Sequence, residues 1–230
     1  FLLSCAVPLA FPAGAAESRK KNILFIGIDD MRVQAGCYGQ TMMKTPHMDR
    51  LAAKGMVFMN AYVQQAVCAA SRASLLTGCR PDTTGVDYPY TAWFKNTFIK
   101  DHLTIPVFFA NKGYYTRTLG KIHHGPKDKG LSEDHFNPAD DSFWPPHKDR
   151  RLSTKKTWRG KVKPFGHPDL PDHEFQDGQI CDETIATMRR AVRSGKPFFI
   201  APGFKKPHLP FVCPKEYYDL YDHDEIDLSP

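Results

Sequence analysis

The stretch Lys20-Lys21-Asn22-Ile23-Leu24-Phe25-Ile26-Gly27-Ile28-Asp29-Asp30 decides the architecture. Its continuous apolar run, Ile23 to Ile28, is short and bounded by polar residues. That pattern predicts a strand buried on both faces, as in a parallel sheet covered by helices. Open α/β sheets bind ligands just beyond the carboxyl ends of their strands, and Asp29 and Asp30 fall at such an end. Two adjacent carboxylates repel each other unless a cation or paired bases neutralise them. Hard oxygen donors in that position suggest Ca2+ or Mg2+. Taken alone, an Asp-Asp pair reads more simply as an acidic turn or helix cap.

Outward from this strand, Thr45 to Gly55 carries helix signals: Thr45 can cap, Pro46 fits the first turn and Gly55 fits a left-handed stop. Met56 to Val63 (MVFMNAYV) reads as a second buried strand. It delivers the chain to Val67–Pro81, VCAASRASLLTGCRP, a small-residue apolar helix with Cys68 at its start and Arg72 one turn on. Free backbone N–H groups and the helix dipole favour negative charge at a helix N-terminus. Cys68 and Arg72 therefore describe an anion site with a sulfur nucleophile, or its precursor, at the centre; an isolated C-x-x-x-R would be a small buried Cys beside a surface Arg. Leu103 to Lys112 has an apolar helical face stopped by Gly113, and Tyr114 to Leu119 predicts a strand leading into Gly120-Lys121-Ile122-His123-His124-Gly125. Residues 126–176 show no sustained periodicity and read as a long loop or insertion. From Asp177 to Gly195, apolar positions Ile180, Ile185, Met188 and Val192 predict a helix. Pro197 to Ala201 predicts a strand that runs on into Gly203-Phe204-Lys205-Lys206-Pro207-His208. There is no internal repeat. Strand and helix alternate, with polar residues at the strand exits, which predicts a mainly parallel α/β sheet flanked by helices.

The chain of 230 residues is long enough for one sizeable domain with a full core. Its net charge of +6 is basic without the density of a dedicated nucleic-acid binder. Much of the excess sits in Lys148–Lys163, which reads first as a solvated loop and second as an attractor of anionic substrate. Phe1 to Phe11 is apolar and leads into Ala13-Gly14-Ala15-Ala16, so residues 1–18 read as a secretory-signal remnant and the protein as exported. That run is broken by Pro8 and Pro12 and is too short to span a bilayer, and no other segment reads as transmembrane. Cys5 falls in the leader. The remaining cysteines, 37, 68, 79, 181 and 213, are odd in number, which flags Cys68 as a thiol with a separate job. No C-x-x-C is present to suggest a thiolate zinc site.

At Cys68-Ala69-Ala70-Ser71-Arg72-Ala73-Ser74-Leu75-Leu76-Thr77-Gly78 the chain resembles the type I, formylglycine-dependent sulfatases of the alkaline-phosphatase superfamily, whose signature is C-x-P/A-x-R, a small apolar stretch and T-G. The resemblance narrows to the iduronate 2-sulfatase-like subgroup through Asp29-Asp30-Met31-Arg32, Gly36-Cys37-Tyr38-Gly39, Gln65-Ala66-Val67-Cys68, Arg80-Pro81-Asp82-Thr83-Thr84 and Lys206-Pro207-His208-Leu209-Pro210-Phe211. It implies an alkaline-phosphatase-like α/β fold over residues 19–230. It also implies a sulfuric ester hydrolase acting on a sulfated carbohydrate.

The resemblance further implies that Cys68 is converted by a formylglycine-generating enzyme to an aldehyde, whose hydrated form attacks the ester sulfur. A geminal diol can then release sulfate by re-forming its carbonyl, an exit that a serine sulfate lacks. Asp29 and Asp30 would be ligands of a Ca2+ ion (Mg2+ second), joined by the modified Cys68. Arg72 would hold the diol and Lys121 the sulfate oxygens. His124, with His123 as the competing position, would assist the diol, and His208 would protonate the leaving oxygen. The family's remaining metal pair and a further sulfate-binding Lys correspond to sequence beyond Pro230, so the chain is expected to be the N-terminal part of a catalytic domain, incomplete at its C-terminus. The alternatives are a phosphate or phosphonate ester hydrolase of the same superfamily and an inactive anion-binding fragment.

Overall fold

The computed structural model describes residues 20–88, 103–124, 128–138 and 165–226. The stretch expected to be a secretory-signal remnant, residues 1–18, the basic stretch Lys148–Lys163 and most of the 126–176 segment lie outside these residues. In chain order the described elements are β1 (Ile23–Leu24), β2 (Gly27–Ile28), α1 (Pro46–Ala52), α2 (Cys68–Thr77), α3 (Pro81–Thr84), α4 (Ile105–Asn111), β3 (Tyr115–Gly120), β4 (Phe165–Gly166), α5 (Gln176–Arg193), β5 (Phe198–Phe204), β6 (Phe211–Val212) and α6 (Lys215–Tyr218).

β5 is the centre of a parallel sheet. β1 and β2 lie along one edge of it and β3 along the other. The six residues Phe198 to Gly203 are all buried, as an apolar run covered on both faces requires. Phe199 and Ala201 point to one side, where they meet Ala69, Ala73 and Leu76 of α2, with Phe109 of α4 packed against the cluster. Phe198 and Ile200 point to the other, against Ile180 and Ala191 of α5 and Leu119 of β3. The result is the expected helix–sheet–helix layering. A second, two-stranded parallel sheet joins β4 to β6.

Three expectations need correction. The run Ile23–Ile28 is two short strands rather than one, and it is not buried on both faces, since Leu24 and Ile26 are exposed. The registers Leu24↔Ile200 and Gly27↔Gly203 set Ile26 opposite Pro202, which has no N–H, and the ladder is interrupted there, although Phe25 N–H still donates to the Ile200 carbonyl at 2.9 Å. Met56–Val63 is no strand at all. No described strand lies beside it to pair its backbone, and Met56, Phe58, Met59, Tyr62 and Val63 are between 61% and 86% exposed. Thirdly, Ile180 and Met188 of α5 do pack inward, but Ile185 and Val192 face out. Their inward places are taken by Thr184 and Thr187, whose hydroxyls donate to Ile180 O (2.6 Å) and Glu183 O (2.7 Å) and so can be buried without loss.

Beside the second core cluster, α5 and β3 are tied by charge. Arg117 of β3 pairs with Glu133 (2.8 Å) and with Glu183 of α5, and Arg190 pairs with Glu133 through Nε (2.9 Å) and with Glu183 (2.7 Å). Burial pushes both Glu carboxyls up, but the hydrogen bonds from Arg190 and Tyr115 to Glu133, and from Arg117 and Arg190 to Glu183, outweigh it and hold both below the ordinary glutamate range. Among the described residues no helix is long and apolar enough to cross a membrane.

Candidate active site

The three strands meet at their carboxyl ends in a row of glycines, Gly27, Gly203 and Gly120, which are register partners across the sheet. A Cβ on Gly203 would lie 2.3 Å from the carbonyl carbon and oxygen of Lys121, and one on Gly120 would lie 2.3 Å from Gly203 O. Gly120 also turns at φ +60°, a conformation that L side chains rarely adopt. With no side chains in the way, the chain leaving β3 crosses directly over the end of β5, where Lys121 N–H donates to Gly203 O at 2.8 Å. This crossing carries Lys121 and Ile122 to the exit of β2.

There they meet Asp29 and Arg72. Asp29 is 3% exposed, and its amide donates to Phe204 O at 3.0 Å. Arg72, reaching across from α2, donates from Nη2 to Asp29 Oδ1 at 2.9 Å, while Lys121 Nζ donates to Oδ2. Arg72 Nη1 donates to the carbonyls of Lys121 and Ile122, the latter at 3.3 Å. Burial alone would raise the Asp29 carboxyl, but the hydrogen bonds and charges of Lys121 and Arg72 outweigh it, so the carboxyl titrates below its ordinary range. Arg72 is tied into this framework through Nη1 and Nη2, while its Nε is buried with no hydrogen-bond partner. Asp30 turns the chain out of β2 at φ +57°, in the left-handed region that Asp tolerates better than most residues, and is exposed.

Cys68 is the first residue of α2, preceded by an extended Val67 cap. It lines a cavity of about 500 Å3 together with Asp29, Asp30, Gln65 and Arg72. None of the five described cysteines is in a disulfide. His208 enters from the turn after β5: its Nδ1 is 2.7 Å from Leu209 O, and its Nε2 is 3.8 Å from Asp30 Oδ2 and 4.0 Å from Asp29 Oδ2. Donor atoms of Asp29, Asp30 and His208 all lie within 4.8 Å of one another. Two carboxylates suit a hard cation such as Ca2+, which takes oxygen ligands, so the donor chemistry present fits such an ion.

The two histidines after Lys121 part company. The His123 side chain is 1% exposed, with Nε2 at 3.0 Å from Asp128 and its ring edge-on to His135 at 6.0 Å between centroids. His135 is in turn hydrogen-bonded to Thr118 Oγ1 at 2.8 Å. His124, half-buried, instead feels the charges of Lys121, Arg72 and Asp29. Its imidazole is lowered, by burial first and then by the positive charges of Lys121 and Arg72, with Asp29 acting weakly the other way. The structure thus brings Asp29, Asp30, Arg72, Lys121, His124 and His208 to one sheet edge, with Cys68 in the adjoining cavity. Reading the sequence for chemistry passed over the glycine row and Asp128. Glycines recurring at successive strand ends were the available signal for the first, and nothing local announces the second.

A sulfatase family model matches residues 21–229. The chain is 38% identical over 228 residues to iduronate 2-sulfatase of Mus musculus, covering 94% of this chain and 40% of that protein. To iduronate 2-sulfatase of Homo sapiens it is 37% identical over 220 residues, covering 91% and 39%. It therefore spans about 40% of the length of these relatives. The crystal structure of a phosphonate monoester hydrolase of Agrobacterium radiobacter superposes with a TM-score of 0.70 at 19% identity, covering 91% of this chain and 45% of that one, a likeness of fold. The architecture is alkaline-phosphatase-like. Sulfatases in general use a metal ion and formylglycine. On the match across residues 21–229 and the fold that goes with it, this chain belongs to the sulfatase family.

Proposed function

We propose that the protein is an exported sulfuric ester hydrolase that removes sulfate from a sulfated carbohydrate, in the manner of iduronate 2-sulfatase. The observation that supports it most is the Arg72–Asp29–Lys121 chain of charge beside the cavity that Cys68 lines. It fixes cations at a strand exit next to a nucleophile position, as capture of a tetrahedral monoanion demands.

In this reading a formylglycine-generating enzyme oxidises Cys68 to the aldehyde, which hydrates. One hydroxyl of the diol, relieved of its proton by the neutral imidazole of His124, attacks the ester sulfur while Lys121 steadies the sulfate oxygens. The S–O bond to the sugar breaks, and the leaving oxygen takes a proton from His208 Nε2. Loss of the second hydroxyl's proton re-forms the carbonyl and expels sulfate. A Ca2+ ion would be held by Asp29, Asp30 and the modified Cys68, and would supply positive charge to the sulfate end. Arg72 acts by fixing Asp29 and the 121–122 backbone through Nη1 and Nη2.

Mass spectrometry of the protein from its native host should find the Cys68 peptide lighter by the thiol-to-aldehyde change. An unmodified thiol there would sink the mechanism. Aryl sulfate should be hydrolysed faster than aryl phosphate; the reverse ranking would hand the site to a phosphoesterase.

A further inference from the structure

We propose that Asp177, which no step of the mechanism uses, is a positioning residue for His208. The inference rests on the reading of His208 as the acid for the leaving oxygen. β5 ends at Phe204, and the chain must then turn within four residues to present the His208 ring to Asp29 and Asp30. The first two amides of that turn are not left to solvent. Lys205 N–H donates to Asp177 Oδ1 and Lys206 N–H to Asp177 Oδ2, both at 2.8 Å, so one carboxylate grips two consecutive backbone groups. Lys206 Nζ then donates to Pro210 O at 2.7 Å, and His208 N–H donates back to Lys205 O at 3.0 Å, closing the turn on the residues Asp177 holds.

The bracket itself is fixed. Asp177 stands in the first turn of α5, where the helix dipole favours a negative side chain. Its neighbour Gly178 is packed so tightly that a Cβ would sit 1.9 Å from Asp172 O. That seats the start of the helix on the preceding turn, and Ile180 anchors it in the core. A charged acceptor binding two N–H groups is stronger and more directional than a neutral one. The carboxylate thus transmits the position of a core helix to a catalytic loop, and it does so without touching substrate.

The chemistry supplies a selective test. An alkyl oxygen of a sugar leaves poorly unless protonated, whereas a nitrophenolate leaves unaided. General acid catalysis contributes roughly 100-fold or more, and a misplacement of about 1 Å can remove much of it. In the intact protein matured with its formylglycine-generating enzyme, Asp177→Asn should lower kcat on a sulfated sugar about 10- to 100-fold. It should change kcat on 4-nitrophenyl sulfate less than about 3-fold, following the pattern of His208→Ala. Amide exchange across residues 203–210 should quicken in the same variant. Equal losses on both esters, or unchanged exchange, while His208→Ala stays selective, would overturn the positioning role alone. A His208→Ala variant without leaving-group selectivity would overturn the acid assignment and this inference with it. Should Asp177→Asn not fold, Asp177→Glu keeps the charge but moves it by one methylene, and the same sugar-to-aryl ratio decides.

Discussion

Gly203→Ala is the sharpest perturbation the site offers. Gly203 needs no left-handed backbone, so the added methyl acts through contact alone. It would lie 2.3 Å from both the carbonyl carbon and the oxygen of Lys121, and 2.7 Å from the amide nitrogen of Ile122, against an ordinary contact of 3.4 Å or more. Relief requires the 121–122 backbone to retreat by about 1 Å, and no flexible side-chain tip is available to give way instead. A retreat of that size stretches the Lys121 N–H to Gly203 O bond well beyond its present 2.8 Å and draws both carbonyls away from Arg72 Nη1. Overpacking of this kind costs about 1–3 kcal/mol, or roughly 2–10 °C in Tm for a chain of this size. Activity should fall further than stability, by about 100-fold in kcat, because Lys121 and Asp29 lose their mutual register. Differential scanning fluorimetry and steady-state hydrolysis of 4-nitrophenyl sulfate read the two effects. A variant with kcat within about 3-fold of wild type and an unshifted Tm would refute the claim that the glycine row sets the position of Lys121.

Arg72→Ala removes one of two cations from a buried carboxylate and should cost about 3 kcal/mol in urea unfolding, the low end for breaking a buried pair because Lys121 remains; a loss under about 1 kcal/mol would contradict it. Glu133 and Glu183 have folded pKa values below their unfolded ones. Their contribution to stability is therefore present above the unfolded value of about 4.3 and is lost as pH falls through the lower folded values. Glu133→Gln should cost about 1–3 kcal/mol at pH 7, with the gap to wild type closing below about pH 4; a gap that persists in acid would speak against the network. The His124 imidazole should titrate below the ordinary histidine value of about 6.5 in an NMR pH series, and a midpoint at or above that value would show that burial, with the charges of Lys121 and Arg72, does not disfavour its charged form.

The sequence made the sheet legible where burial demanded it. Phe198–Phe204 is a continuous apolar run because helices cover both faces, Tyr115–Gly120 is buried beside it although it carries Thr116, Arg117 and Thr118, and the starts of both strands follow from Gly113 and Gly195, both in positive φ. What it could not convey is which runs find a partner. Met56–Val63 has a strand's composition, but composition specifies a surface that wants covering, not the neighbour that pairs its backbone. Pro202 was visible in the sequence, yet its effect appears only once register places Ile26 opposite it. On α5 the apolar residues misled because threonines can satisfy their own hydroxyls within the helix and so compete for the buried face. Asp29, Asp30, Lys121, His124 and His208 were readable as a set because each follows a strand, whereas Cys68 and Arg72 were readable only from their own motif. The divergence of His123 and His124 was not, since two neighbouring side chains on a turn look alike until Asp128 claims one of them.

Arg72 has a consequence for ligand design. A guanidinium held by a carboxylate and two carbonyls presents a fixed positive potential whose orientation is set before any ligand arrives. Inhibitors built on a sulfamate or sulfonate head would then meet a pre-set cation rather than have to order one. Further affinity would have to be sought along the wall of the same cavity, at Gln65 and its neighbours Ala66 and Val67.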